Sequence, residues 1–203
     1  KPFVYLSAIK QGYSPSVQLI NQAIKIKDKS TYWIPENWNN EMGGVYTLRQ
    51  GLYGSVNLIA VRVMNDLNIN PNLIQKTAYD FNLTTSIKAV PSIALGSSEV
   101  KPIEITSAYS AIANSGTYLN PMVINKIMDK DGKLIKSFLP QPEVIESEEN
   151  AYILLDMMRD VVDEYKFKYY DQNGDGKYQS NEHVYGRGTG SKLRTQYNFG
   201  FNY

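Results

Sequence analysis

Apolar residues recur at helical spacing over most of the chain, and the interruptions between these stretches set the expected elements. Phe3, Leu6 and Ile9 lie three apart and Tyr13 follows one turn on, with Pro2 suited to a first helical turn and Gly12 near the end. Residues 14–41 mix proline, asparagine and aromatics, which reads as an irregular surface segment with a short extended piece at 23–27. From Thr47 to Met64 a helical pattern returns, broken in the middle by Ser55-Val56-Asn57. Asn70-Pro71 combines a capping side chain with a proline at the first helical position, and the spacing predicts a helix to about Phe81. Residues 88–99 turn from apolar to small and polar and read as a loop.

Pro102 opens another helix, with Ile105, Ala108, Tyr109, Ile112 and Ala113 on one face and Gly116 as a left-handed stop. Residues 122–128 and 133–138 flank Lys130-Asp131-Gly132, the strongest hairpin signal in the chain. Ser147 with Glu148 and Glu149 begins a long helix, because a capping hydroxyl and first-turn acids suit its positive end. Its stripe runs through Ala151, Leu154, Leu155, Met158, Val161, Val162 and Tyr165, and Met157 beside Met158 is most simply core. The class expected from this pattern is α+β: a helical subdomain plus part of an antiparallel sheet.

Composition removes several function classes. The chain has 203 residues, enough for one well-buried domain or a substantial part of a larger one. Its 21 basic and 20 acidic residues nearly cancel, so no field points to nucleic acid. Without cysteine there is neither a disulfide nor thiolate chemistry. No apolar run approaches the roughly 20 residues of a membrane span, and no signal-peptide pattern is visible. Both ends are abrupt, which reads as a fragment cut inside a larger domain.

Taken alone, Ser55 and Asn57 have two readings: one of them caps the following helix, or both face a cleft. Lys1 alone reads as solvated surface. The order of the surrounding residues adds to this. Lys1-Pro2-Phe3-Val4-Tyr5-Leu6 followed by Gly12-Tyr13-Ser14-Pro15 resembles the segment behind the nucleophile of penicillin-binding protein transpeptidase domains, where S-x-x-K precedes a proline and an apolar helix. Pro35-Glu36-Asn37-Trp38, then Gly44-Val45-Tyr46-Thr47-Leu48-Arg49 and Ser55-Val56-Asn57, resembles the run into the second motif, S-x-N. Ala94-Leu95-Gly96 with Glu99-Val100, Ala108-Tyr109, Ala113-Asn114-Ser115-Gly116 and the hairpin around Asp131-Gly132 resemble the family's segment after that motif. Gly188-Thr189-Gly190-Ser191-Lys192-Leu193-Arg194 is similar to the GTG element ahead of the third motif, K-T-G.

The likeness is greatest to the class A, bifunctional type. It implies the penicillin-binding-protein and serine β-lactamase fold, here incomplete, over residues 1–203. It further implies a D,D-transpeptidase acting on peptidoglycan stem peptides and β-lactams through a serine acyl-enzyme, with no cofactor for catalysis. Lys1 would be the motif lysine, its serine lying three residues ahead; Ser55 would relay protons and Asn57 would hold the lysine and the substrate amide. K-T-G would come soon after Tyr203, so the fragment alone is expected to be inactive. The parent would be membrane-anchored at the outer face of the cytoplasmic membrane and carry a glycosyltransferase domain. A non-catalytic scaffold with the same fold, and a D,D-carboxypeptidase or β-lactam hydrolase, are the alternatives.

Residues 165–187 interrupt this resemblance and read as an insertion. Asp171-Gln172-Asn173-Gly174-Asp175-Gly176-Lys177-Tyr178-Gln179-Ser180-Asn181-Glu182 matches the EF-hand loop pattern D-x-[DN]-x-[DN]-G-x5-E in full. Oxygen ligands for calcium would come from Asp171, Asn173, Asp175, the Lys177 carbonyl, Gln179 and bidentate Glu182, with Gly176 making the sharp turn. The other reading is a polar turn. The single histidine, His183, reads as surface beside it.

Overall fold

The computed structural model describes residues 1–28, 30–163, 168–169 and 184–185. Six α-helices form its body: α1 (Pro2–Lys10), α2 (Leu48–Tyr53), α3 (Asn57–Asp66), α4 (Pro71–Asp80), α5 (Pro102–Ala113) and α6 (Glu148–Asp163). Helix α1 is central, packing against α3, α4 and α6. Tyr5, Leu6, Ile59, Phe81, Ile112, Leu154 and Met157 are buried in the core that these helices share. Phe3 meets the edge of Phe81 with ring centroids 5.7 Å apart.

The expected helix starts hold for local chemical reasons. Thr47 closes a full capping box: its hydroxyl accepts from the Gln50 amide at 3.1 Å, and its own amide donates to the Gln50 side chain at 2.8 Å. Asn70 accepts from the Leu73 amide at 2.9 Å, and Ser147 accepts from the Asn150 amide at 3.2 Å. Gly116 turns with φ +79°. On α5 the buried face differs from the expected one: Ala111 is buried with Ala108 and Ile112, while Ala113 and Tyr109 lie exposed.

Two further sequence expectations need correction. Residues 88–99 contain a 3-10 helix, Pro91–Leu95, closed by Gly96 at φ +79°; its five residues are too few to show a period. The extended piece expected at 23–27 lies later, as β2 (Ile26–Asp28) in a hairpin with β3 (Thr31–Trp33). Strand β1 (Gln18–Ile20) pairs antiparallel with β4 (Val45–Thr47), which brings the whole 21–44 excursion back to α2. Strand β5 (Thr117–Leu119) pairs with β8 (Pro142–Val144), and the expected hairpin forms as β6 (Lys126–Met128) and β7 (Leu134–Ser137) around Gly132 at φ +81°. Short strands β9 (Lys168–Tyr169) and β10 (Val184–Tyr185) also pair antiparallel. No helix among the described residues is long and apolar enough to cross a membrane.

Candidate active site

Helix α2 ends in a turn that sets the site. The Ser55 amide donates to the Leu52 carbonyl and the Val56 amide to the Gly51 carbonyl, both at 3.0 Å. This is a Schellman closure with Ser55 in the left-handed position, at φ +51°. Glycine usually sits there, and a residue with a Cβ costs about 1–2 kcal/mol in that conformation. The turn points both the carbonyl and the hydroxyl of Ser55 at the start of α1. Lys1 meets them: its Nζ donates to the Ser55 carbonyl at 2.6 Å, to Ser55 Oγ at 3.0 Å and to Asn57 Oδ1 at 2.6 Å. The three residues proposed from motif order are thus one cluster, all half-buried.

The capping alternative fails for both Ser55 and Asn57. Val56 holds the N-cap of α3 and offers no side-chain acceptor. Asn37, reaching in from the 34–44 loop, accepts from the Leu58 amide at 3.0 Å in its place. Asn37 also donates to Asn21 Oδ1 at 2.8 Å and to the Glu41 carbonyl at 2.7 Å. Its neighbour Glu36 presents a backbone carbonyl that accepts from Asn57 Nδ2 at 3.0 Å. Sequence reasoning missed these groups: an asparagine in a polar loop looks solvated, and only the Pro35-Glu36-Asn37-Trp38 run hinted at them. An open cavity of about 220 Å³ lies against this loop, lined by Ile34, Pro35, Met42 and Leu58 among others.

Burial disfavours the charged form of Lys1 and lowers its pKa to about 8. At pH 7 about one Lys1 in ten is then a neutral amine, a far larger share than for an exposed lysine. The acceptors are not equivalent. The Ser55 carbonyl and the Asn57 amide oxygen can only accept, whereas the Ser55 hydroxyl can also donate. A neutral Lys1 keeps two N–H bonds on the pure acceptors and turns its lone pair to Ser55 Oγ, so the cluster can pass a proton between Lys1 and Ser55.

The profile of the penicillin binding protein transpeptidase domain matches residues 1–187. The chain belongs to that family. Penicillin-binding protein 1A of Neisseria meningitidis is 34% identical over 172 residues, covering 80% of this chain and 21% of the relative. Its counterpart in Aquifex aeolicus is 31% identical over 164 residues, covering 80% and 22%. These penicillin-binding proteins are thus far longer, and the chain spans about a fifth of the Neisseria protein. The crystal structure of penicillin-binding protein 1A from Haemophilus influenzae superposes with a TM-score of 0.76 at 23% identity, over 87% of this chain and 30% of that one. Penicillin-binding protein A from M. tuberculosis, solved as an imipenem acyl-enzyme complex, gives 0.69 at 16% identity over 79% and 42%. The expected transpeptidase fold is therefore the observed one, and the partial coverage accords with an incomplete domain.

The six proposed calcium ligands, Asp171, Asn173, Asp175, Lys177, Gln179 and Glu182, lie outside the described residues, as does His183. On either side of that loop are the paired strands β9 and β10. Among the described residues no group of three acidic or histidine side chains could hold a metal.

Proposed function

We propose that the chain is the central part of a D,D-transpeptidase domain in a class A penicillin-binding protein, and that Lys1, Ser55 and Asn57 are three of its catalytic residues. The observation that carries this reading is the half-buried lysine donating to both members of S-x-N. A serine three residues before Lys1 would share its helix face, within reach of Nζ. Neutral Lys1 turns its one lone pair from Ser55 Oγ to that serine and takes its proton as the serine oxygen attacks the penultimate D-Ala carbonyl of a stem peptide. The C–N bond to the terminal D-Ala breaks, and the proton passes through Ser55 Oγ to the leaving amine. A neighbouring stem's amine then attacks the ester, its proton returns by the same route, and the serine is released. The second Nδ2 hydrogen of Asn57, beyond the one given to Glu36, is available to a substrate carbonyl. A β-lactam would acylate the same serine. The parent acts at the outer face of the cytoplasmic membrane, anchored there and joined to a glycosyltransferase domain.

The test is labelling of the full-length protein with a fluorescent penicillin. Lys1→Ala and Ser55→Ala are each expected to slow labelling roughly 10²–10⁴-fold, the usual worth of a positioned acid or base. The wild-type rate should rise with pH around a midpoint of about 8, as Lys1 becomes neutral. Equal labelling in all three proteins breaks the assignment, and no labelling in any of them leaves a binding scaffold. Release of the label by water rather than by an amine identifies a hydrolase.

We also propose that residues 171–182 bind calcium, on the strength of the complete ligand pattern. Calorimetric titration of wild type and Asp175→Ala decides it: the expected result is calcium-dependent heat in the wild type alone, and no heat in either ends the idea.

A further inference from the structure

We infer that Asn37 is a positioning residue for the transpeptidase site: it holds the Glu36 carbonyl against Asn57 and so fixes which way the Asn57 amide faces. This rests on the function proposed above and extends it to residues outside the recognised motifs.

The Asn57 side chain is held at both ends. Its Oδ1 accepts from Lys1 Nζ at 2.6 Å and its Nδ2 donates to the Glu36 carbonyl at 3.0 Å. Only one amide orientation satisfies both contacts. Flipped, Asn57 would turn its N–H bonds toward the lysine and its oxygen toward another oxygen. The Glu36 carbonyl thus selects the catalytic orientation together with Lys1, and a backbone oxygen in a long excursion is only as well placed as the loop carrying it. Residues 34–44 are exposed over most of their length: Trp38 is 87% exposed and Met42 63%. Within it only Pro35 and Asn37 are buried, Asn37 at 6%, and of the two Asn37 alone has a polar side chain.

Its side chain makes three bonds to three separate pieces of structure. It accepts from the Leu58 amide on α3, one residue past Asn57, and it donates to Asn21 and to the far side of its own loop at Glu41. Asn21 is itself buried and donates to the Gly43 carbonyl at 3.2 Å, while its backbone pairs with Gly43 and Gly44 at 2.6 and 3.0 Å. The buried pair therefore pins the loop to the β1–β4 ladder on one side and to the first turn of α3 on the other. Glu36, adjacent in sequence to Asn37, is carried to Asn57 by that anchorage. A fully bonded buried polar network of this kind defines one arrangement, because every alternative strands a donor or acceptor.

The experiment uses the full-length protein and separates non-covalent β-lactam binding from the acylation step. Asn37→Ala is expected to slow acylation roughly ten- to hundredfold, as for a catalytic group displaced by about an ångström, with binding nearly unchanged. The deciding measurement is the same substitution in an Asn57→Ala background. There the further loss should vanish, since no amide remains to be oriented. A loss of the same factor in both backgrounds makes Asn37 a merely structural residue and overturns the inference alone. Wild-type acylation by Asn57→Ala overturns the site assignment and this inference with it. If Asn37→Ala does not fold, Asn21→Ser carries the same cycle, because it removes the 2.8 Å acceptor behind Asn37 and leaves the Leu58 cap in place.

Discussion

Two helices in this molecule end in nearly the same turn and put it to different uses. At the end of α2, Ser55 is left-handed at φ +51° and the Val56 amide returns to the Gly51 carbonyl. At the end of α5, Ser115 is left-handed at φ +50° and the Gly116 amide returns to the Ala111 carbonyl, five residues back in each case. The serine backbones are alike and their surroundings are not. Ser55 is half-buried and aims its hydroxyl at Lys1. Ser115 is exposed, and its hydroxyl donates to Glu148 at 3.5 Å. Next to it, Gly116 takes a second left-handed step under the Glu146 carbonyl and accepts the Ile145 and Glu146 amides at 3.0 and 3.2 Å. A strained serine is therefore not by itself a mark of chemistry; what it faces decides.

Substitutions at the two turns test that contrast. The largest effect is expected at Gly116→Ala, where the added Cβ would lie 2.2 Å from the Glu146 carbonyl oxygen in a backbone already left-handed. A loss of about 3 kcal/mol or more, read by chemical denaturation, is expected from overpacking and strain together. Next, Ser55→Gly should relieve the turn and stabilise the fold by about 1 kcal/mol while lowering penicillin acylation roughly 10²-fold. Opposite signs for stability and activity are the signature of a strained functional residue; a variant that loses both contradicts the reading of Ser55 as strained. Ser115→Gly should give the same gain of about 1 kcal/mol with acylation unchanged. If Ser115→Gly also slows acylation, the two turns are not separable in the way their surroundings suggest.

The smallest effect lies at the other end of α5. Glu104 accepts from the side chain of Thr84 at 2.5 Å, from Lys101 at 2.9 Å and from Thr85 at 2.9 Å, bonds that push its pKa down to about 2. A carboxylate depressed in the folded state stabilises it above the ordinary range near 4.5, and that contribution is lost as pH falls toward about 2. Melting temperature should therefore drop across this window, and Glu104→Gln should flatten the drop.

Much of the helical frame is legible in the sequence because helix ends carry local chemistry. Thr47 with Gln50, Asn70 with Pro71, and Ser147 with its following acids each mark a start that needs no distant partner. The turn at Lys130-Asp131-Gly132 is equally local, with Asp129 accepting the Asp131 and Lys133 amides at 2.9 and 2.8 Å. The β1–β4 ladder is not legible, since each strand has three residues and the register is held by Asn21 bonding to Gly43 and Gly44 across a long excursion. The site divides along the same line. Lys1, Ser55 and Asn57 could be named because motif order points to them, even though residues 1 and 55 are remote in the chain. Asn37 and the Glu36 carbonyl could not, because their importance comes from where the loop lands.

Of the three oxygens that hold Lys1, one belongs to the main chain of Ser55. Every amino acid at position 55 would carry that carbonyl, so no codon change there can delete it. Substitution at positions 55 and 57 can thus remove the hydroxyl and the amide while the lysine keeps an anchor. The proposed chemistry can therefore be dismantled one oxygen at a time, with the amine still seated on the main chain.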